Sequence, residues 1–253
     1  MSLFNNKIKD ISLIEVFSLI VVLYIIQYSF NHFKIINVPS FSIYVAVILF
    51  FIFKLRNDFD GIIDDILGVF SFNLMKYIFG IVILNIFFSY GCLYVSNYIL
   101  INFPISNILI NSSLTGINSF ILGSTLASIF ISPISEELIF RGVFLNRLKL
   151  MFPTTVAILV SSLLFASLHT FGNIFSAFVF ALCMAILYLK TDNIFVPICA
   201  HFLNNLFAES ILALDVNNMI FTNDLVISSM SVMAIISAIL IFISLYFELN
   251  SIK

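Results

Sequence analysis

At 253 residues, with 62% hydrophobic side chains, only 9% charged ones and a formal net charge of -2, the chain is far from a soluble globular domain, which carries about 25% charged residues. No basic cluster is present to meet a nucleic acid, and Cys92, Cys183 and Cys199 stand alone in apolar runs with no CxxC pair, which supports neither a disulfide framework nor a cysteine zinc site. No series of alternating strands suggests an outer-membrane barrel. The composition therefore predicts an all-α, polytopic membrane protein forming a single membrane domain, 1–253.

A bilayer core takes about 20 apolar residues per helix. On that basis the spans expected in chain order are Ile11–Phe30, Val38–Phe53, Tyr77–Leu100, Ile117–Phe140, Thr154–Leu168, Ile174–Leu189, Ile194–Leu214 and Leu225–Phe247. The first follows Lys7 and Lys9 and is too long for a signal-peptide core. Between the second and third, Asn57–Asn73 mixes Asp58, Asp60, Asp64 and Asp65 with Ile62, Ile63, Ile66 and Leu67. That spacing suits a helix lying on the membrane or packed on the protein, with a solvated linker as the alternative. Residues 101–116, rich in Asn, Ser and Thr, read as a connector.

With the N-terminus inside, the cytoplasmic loops receive Lys7, Lys9, Lys54, Arg56, Lys76, Arg147, Lys149, Lys190 and Lys253, and only Lys34 falls outside. This asymmetry predicts an integral cell-membrane protein, in a bacterial plasma membrane by its Ile, Phe and Asn bias, with both termini cytoplasmic.

The chemistry concentrates in the fourth span, S-P-I-S-E-E-L-I-F-R at Ser132–Arg141. Charges inside a membrane persist when they pair, line a wet cavity or do chemistry. Glu137 and Arg141 are four apart and are expected to form an ion pair on one helix face. Glu136 points about 100° away and has no expected partner on its own helix. His169 lies at the far end of a hairpin centred near Pro153; each of Glu136 and His169 is about 16 residues from the turn, or roughly 24 Å at 1.5 Å per residue, which predicts equal depth. In the seventh span His201 and Asn205 share a face, and Glu209 follows one turn later as a supporting partner. His32 is read as incidental.

Glu136, His169, His201 and Asn205 are thus expected to line one polar cavity. Two chemistries fit. In one, Glu136 is a general base assisted by His169, while His201 and Asn205 stabilise an oxyanion. In the other, Glu136, His169 and His201 bind zinc with an open water position.

Three motifs carry a family resemblance. E-E-L-I-F-R-G at Glu136–Gly142, F-A-S-L-H at Phe165–His169 and H-F-L-N-N at His201–Asn205 resemble, in order, the EExxxR, FxxxH and HxxxN motifs of the CPBP (CAAX protease and bacteriocin-processing, or Abi) intramembrane proteases, related to the CAAX prenyl endopeptidase. The motifs fall in 117–214, the expected catalytic helices. The resemblance implies an endopeptidase acting on a membrane-associated peptide or protein. It implies that Glu136 and His169 activate water, that His201 and Asn205 form the oxyanion site, that Glu137 and Arg141 are required, and that Phe165 packs at the site wall. Members are often labelled metalloproteases; the metal-free mechanism is favoured here, with zinc as the alternative. The competing function is a non-catalytic immunity or scaffold protein of the bacteriocin self-immunity type, working through helix faces or Asn57–Asn73.

Overall fold

The computed structural model describes residues 2–102, 125–169, 174–214 and 223–251, and every regular element among them is helical. The elements are α1 (Leu3–Lys7), extended by a 3-10 turn over Ile8–Asp10, then α2 (Leu13–His32), α3 (Phe41–Lys54), α4 (Ile62–Val69) and α5 (Phe72–Asn102). Then come α6 (Ser132–Glu137), α7 (Asn146–Lys149), α8 (Thr154–Ser167), α9 (Ile174–Thr191), α10 (Phe195–Leu214) and α11 (Asp224–Ser251). Five stretches are long and apolar enough to cross a membrane: Leu13–His32, Phe72–Leu93, Ile174–Thr191, Phe195–Leu214 and Ser228–Phe247. Phe41–Lys54 and Thr154–Ser167 are shorter apolar helices. Much of the expected fourth span, and the 101–116 connector beyond its first two residues, lie outside the described residues.

α2 is apolar all round and presents Ile14, Phe17, Val22, Tyr24, Ile25 and Tyr28 outward, as expected of a helix solvated by lipid chains. Its hairpin with α3 is tied at one end by Asn31, whose Oδ1 accepts from Val38 N at 2.8 Å while Nδ2 and Gln27 Nε2 donate to Val38 O. At the other end Lys54 pairs with Glu15 at 2.8 Å. In the interior α9 is the most enclosed of the five candidate spans, with Cys183 to Tyr188 all buried. It packs on α8, α10 and α5, and α5 runs along α11. Gly91 permits that last approach: a Cβ there would overlap the Cβ of Ala234.

The segment preceding the first span is docked. Asn5 is fully buried; its Oδ1 accepts from Ile194 N at 2.8 Å and its Nδ2 donates to Asp65. Phe4 stacks between Phe59 and Phe195. Arg147 Nε donates to Ile11 O at 2.8 Å, and a second guanidinium nitrogen donates to Asp10 O. Asn57–Asn73 resolves into α4 with turns on either side: Asp65 faces the protein, while Ile63 and Leu67 are exposed.

Two π-helical stretches, Ala127–Ile131 and Leu138–Leu145, flank α6. Pro133 explains the first. It has no N–H to give back along the helix, and its ring crowds the preceding turn, so the chain widens and Ser132 N bonds to Ala127 O, five residues back. Ser128 O then accepts from Asn205 Nδ2 at 2.9 Å. In the second stretch Asn146 Nδ2 donates to Arg141 O, Gly142 O and Tyr188 Oη at 3.0, 2.9 and 2.8 Å. π-helical turns inside α-helices frequently mark functional sites.

Candidate active site

α6 carries Glu136 and Glu137, with Arg141 in the wide turn that follows. Glu137 is fully buried and Arg141 nearly so, and Arg141 Nη1 lies 3.0 Å from Glu137 Oε1, as the four-residue spacing predicts. The guanidinium also donates to Ala181 O at 3.0 Å and lies 4.8 Å from the centroid of the Phe165 ring. Fork, carboxylate, carbonyl and ring share the desolvation that a lone buried charge would bear.

The same Glu137 oxygen, Oε1, lies 2.8 Å from His201 Nδ1. A carboxylate accepts, so this contact fixes the imidazole proton on Nδ1 and leaves Nε2 facing Glu136, 4.0 Å from its Oε2. Ring contacts brace the imidazole: the Phe180 and Phe165 centroids lie 4.8 and 6.0 Å away, both edge-on.

Glu136 is not without a partner on its own helix. Ser132, one turn earlier, donates Oγ–H to Oε1 at 2.8 Å. Tyr44 of α3 lies near enough to the carboxylate to feel its charge. Between Glu136 and His169 there is neither hydrogen bond nor ion pair; His201 is the imidazole that approaches Glu136. His169 stands two residues beyond the end of α8, where its Nδ1 lies 3.1 Å from Phe165 O. A carbonyl can only accept, so here too the proton belongs on Nδ1 and Nε2 keeps its lone pair. Phe165 links the parts, with its ring 4.8 Å from that of His169.

Asn205 lies one turn beyond His201, with one N–H spent on Ser128 O. Glu209, one turn further along α10, lies near Ser128. His169, His201, Asn204 and Asn205 line a cavity of about 230 Å³, together with Phe165, Phe180, Ser176 and, from α5, Asn85, Ser89 and Tyr90. Glu136 is not among its lining residues.

Among the described residues, no three His, Cys, Asp or Glu side chains form a group that could hold a metal ion. Glu136, His169 and His201 as placed do not converge as the three ligands of a zinc ion.

Of the groups around Glu136, Ser132 was legible from its four-residue spacing to it. Tyr44 had no such signal, because nothing in the sequence ties α3 to α6.

Residues 118–207, which contain all three motifs, match the family model described as type II CAAX prenyl endopeptidase Rce1-like. Over these residues the chain is similar to that family. The match is consistent with the CPBP and CAAX protease family. It begins ahead of α6 and ends in α10, so the Rce1-like segment holds Glu136, Glu137, Arg141, Phe165, His169, His201 and Asn205, and leaves Tyr44, Asn5 and α5 outside. No curated protein and no solved structure matches the chain.

Proposed function

We propose that the protein is an intramembrane endopeptidase that hydrolyses a peptide bond of a membrane-associated peptide or protein. The observation that carries the reading is the convergence of α6 and α10, where Glu137 holds His201 by Nδ1 and turns its Nε2 toward Glu136. In this reading Glu136 takes a proton from water as the new oxygen–carbon bond forms at the substrate carbonyl. The charge that develops on the carbonyl oxygen is met by Nε2–H of His201 and by the remaining N–H of Asn205. For His201 to donate at both nitrogens its ring must be an imidazolium. Glu136 and Glu137 then balance Arg141 and His201, and the buried cluster carries no net charge. His169, through its Nε2 lone pair, assists in ordering the water; the proton that Glu136 took passes to the leaving amine nitrogen, after which the C–N bond breaks and the carbonyl re-forms.

The chain is read as eight spans with both termini cytoplasmic, with the flanked α6 segment as the fourth. The domain 117–214 supplies the catalytic helices.

The test is cleavage of a prenylated, internally quenched CAAX peptide by the purified protein in proteoliposomes. Glu136→Gln, His169→Ala and His201→Ala should each lower kcat/KM by about 10²–10⁴-fold while insertion and yield are unchanged. Full cleavage by Glu136→Gln would remove the proposed base. A cellular phenotype that survives all three substitutions but fails when Asn57–Asn73 is altered would favour the non-catalytic immunity role.

A further inference from the structure

We propose that Asn85 of α5 is a substrate-binding residue whose carboxamide oxygen accepts a backbone N–H of the bound peptide; this rests on the endopeptidase reading and extends the site onto a helix outside the Rce1-like segment. Asn85 sits in the apolar run of α5 with only 3% of its surface exposed, and it lines the same cavity as His169, His201 and Asn205. Its Nδ2 donates to Ile81 O, one turn back, at 2.8 Å and to Cys183 Sγ of α9 at 3.6 Å. Neither Ile81 nor Cys183 lines the cavity, so both N–H groups are directed away from it. Turned over, the carboxamide would set its oxygen against the Ile81 carbonyl, two acceptors with no proton between them, so the orientation is fixed. Oδ1 is left buried, with no hydrogen-bond partner among the described residues.

A buried carbonyl without a donor is unfavourable. The hydroxyls of the same wall are directed elsewhere: Ser89 donates to Ser176 Oγ at 3.3 Å and Tyr90 to Ala208 O at 3.4 Å. Across the cavity lining, the N–H donors come from α10, where His201 and Asn205 meet the substrate carbonyl in the proposed reaction. A peptide backbone presents carbonyl oxygens, which need donors, and N–H groups, which need acceptors. α10 supplies the first need and Asn85 the second. Whatever fills the cavity there must bring a donor of its own or leave the Asn85 carbonyl unpaired, and a site of this kind discriminates against a ligand that lacks the matching N–H.

The test is an amide-to-ester scan of a fluorescent prenylated CAAX peptide, each backbone N–H in turn replaced by oxygen, bound to the full-length protein in proteoliposomes. Glu136→Gln serves as the parent, so that cleavage does not compete with binding. One ester position should stand out, with Kd raised about tenfold. Glu136→Gln/Asn85→Leu should bind the unmodified peptide about three- to tenfold more weakly and no longer discriminate at that position. Leu puts carbon of similar shape in place of the carboxamide and removes a buried acceptor, so the melting temperature should not fall. A lower melting temperature with the ester penalty intact would make Asn85 a staple between α5 and α9 and overturn the proposal. Equal binding of every ester by the parent overturns it too, whether or not the double variant folds. If the wild-type protein leaves the peptide uncleaved while the scan still singles out Asn85, the endopeptidase reading fails and the N–H subsite stands. A peptide neither cleaved nor bound overturns both.

Discussion

Glu137 Oε1 lies 2.8 Å from His201 Nδ1, inside a pocket from which both side chains are almost wholly excluded from solvent. One carboxylate oxygen therefore serves two cations or donors at once, Arg141 on its own helix and His201 on α10. The second glutamate of the motif thereby sets the tautomer and direction of the imidazole that faces the first.

Removing this bridge should damage both stability and chemistry. Glu137→Ala leaves Arg141 buried without its counter-charge, a change that typically costs about 3–5 kcal/mol. Arg141→Leu in the Glu137→Ala background should recover part of that loss. The recovery is measured as melting temperature in detergent and should come without recovery of peptide cleavage, because His201 is still unanchored. Full additivity of the two substitutions would contradict the bridge.

Acid should loosen the docked N-terminal segment. Burial alone would push the Asp65 carboxyl up, but hydrogen bonds from Ser2 and Asn5 outweigh it and hold Asp65 below the usual carboxylate range. Because folding depresses this group, its contribution to stability is present above the unfolded-chain value of about 4. It is lost as pH falls through the lower folded value. Between pH 6 and pH 3 the melting temperature should therefore fall, and Asp65→Asn should reduce the difference. An equal fall in Asp65→Asn would show that other groups control the acid response.

Gly91 should be intolerant of a side chain. Gly91→Ala puts a methyl group onto Ala234, and overpacking of this kind typically costs about 1–3 kcal/mol. The double variant Gly91→Ala/Ala234→Gly should melt closer to wild type than the single variant. A single variant as stable as wild type would mean that α5 and α11 are less closely packed than described.

How much of this was written in the sequence differs from element to element. Glu137–Arg141 follows directly from helical spacing, and Phe165–His169 and His201–Asn205 share faces for the same reason. Apart from the fourth expected span, much of which lies outside the described residues, apolar runs located the helices to within a few residues, and five meet the length and composition of a membrane span. The approach of His201 to Glu136 and Glu137 depends on how α10 crosses α6, which no local pattern encodes. Equal depth for His169 and Glu136 would need α8 to stay helical through residue 169, whereas it ends at Ser167. Asn5, with its bonds to Asp65 and Ile194 N, joins segments far apart in the chain. Such contacts leave no periodicity to read.

The widened turns on both sides of α6 are where the chain can change length without turning Glu136. A π turn holds about one residue more than an α turn. Deleting a single position from Ala127–Ile131 would let that stretch relax to ordinary pitch, with the two sides of the cut left in nearly the same angular relation. The same deletion within an α-helical stretch would swing one side by about 100° relative to the other and turn Glu136 away from His201. What the relaxed stretch would give up is the carbonyl that Ser128 offers to Asn205, so the extra residue serves the anchoring of α10 and not the aim of the carboxylate.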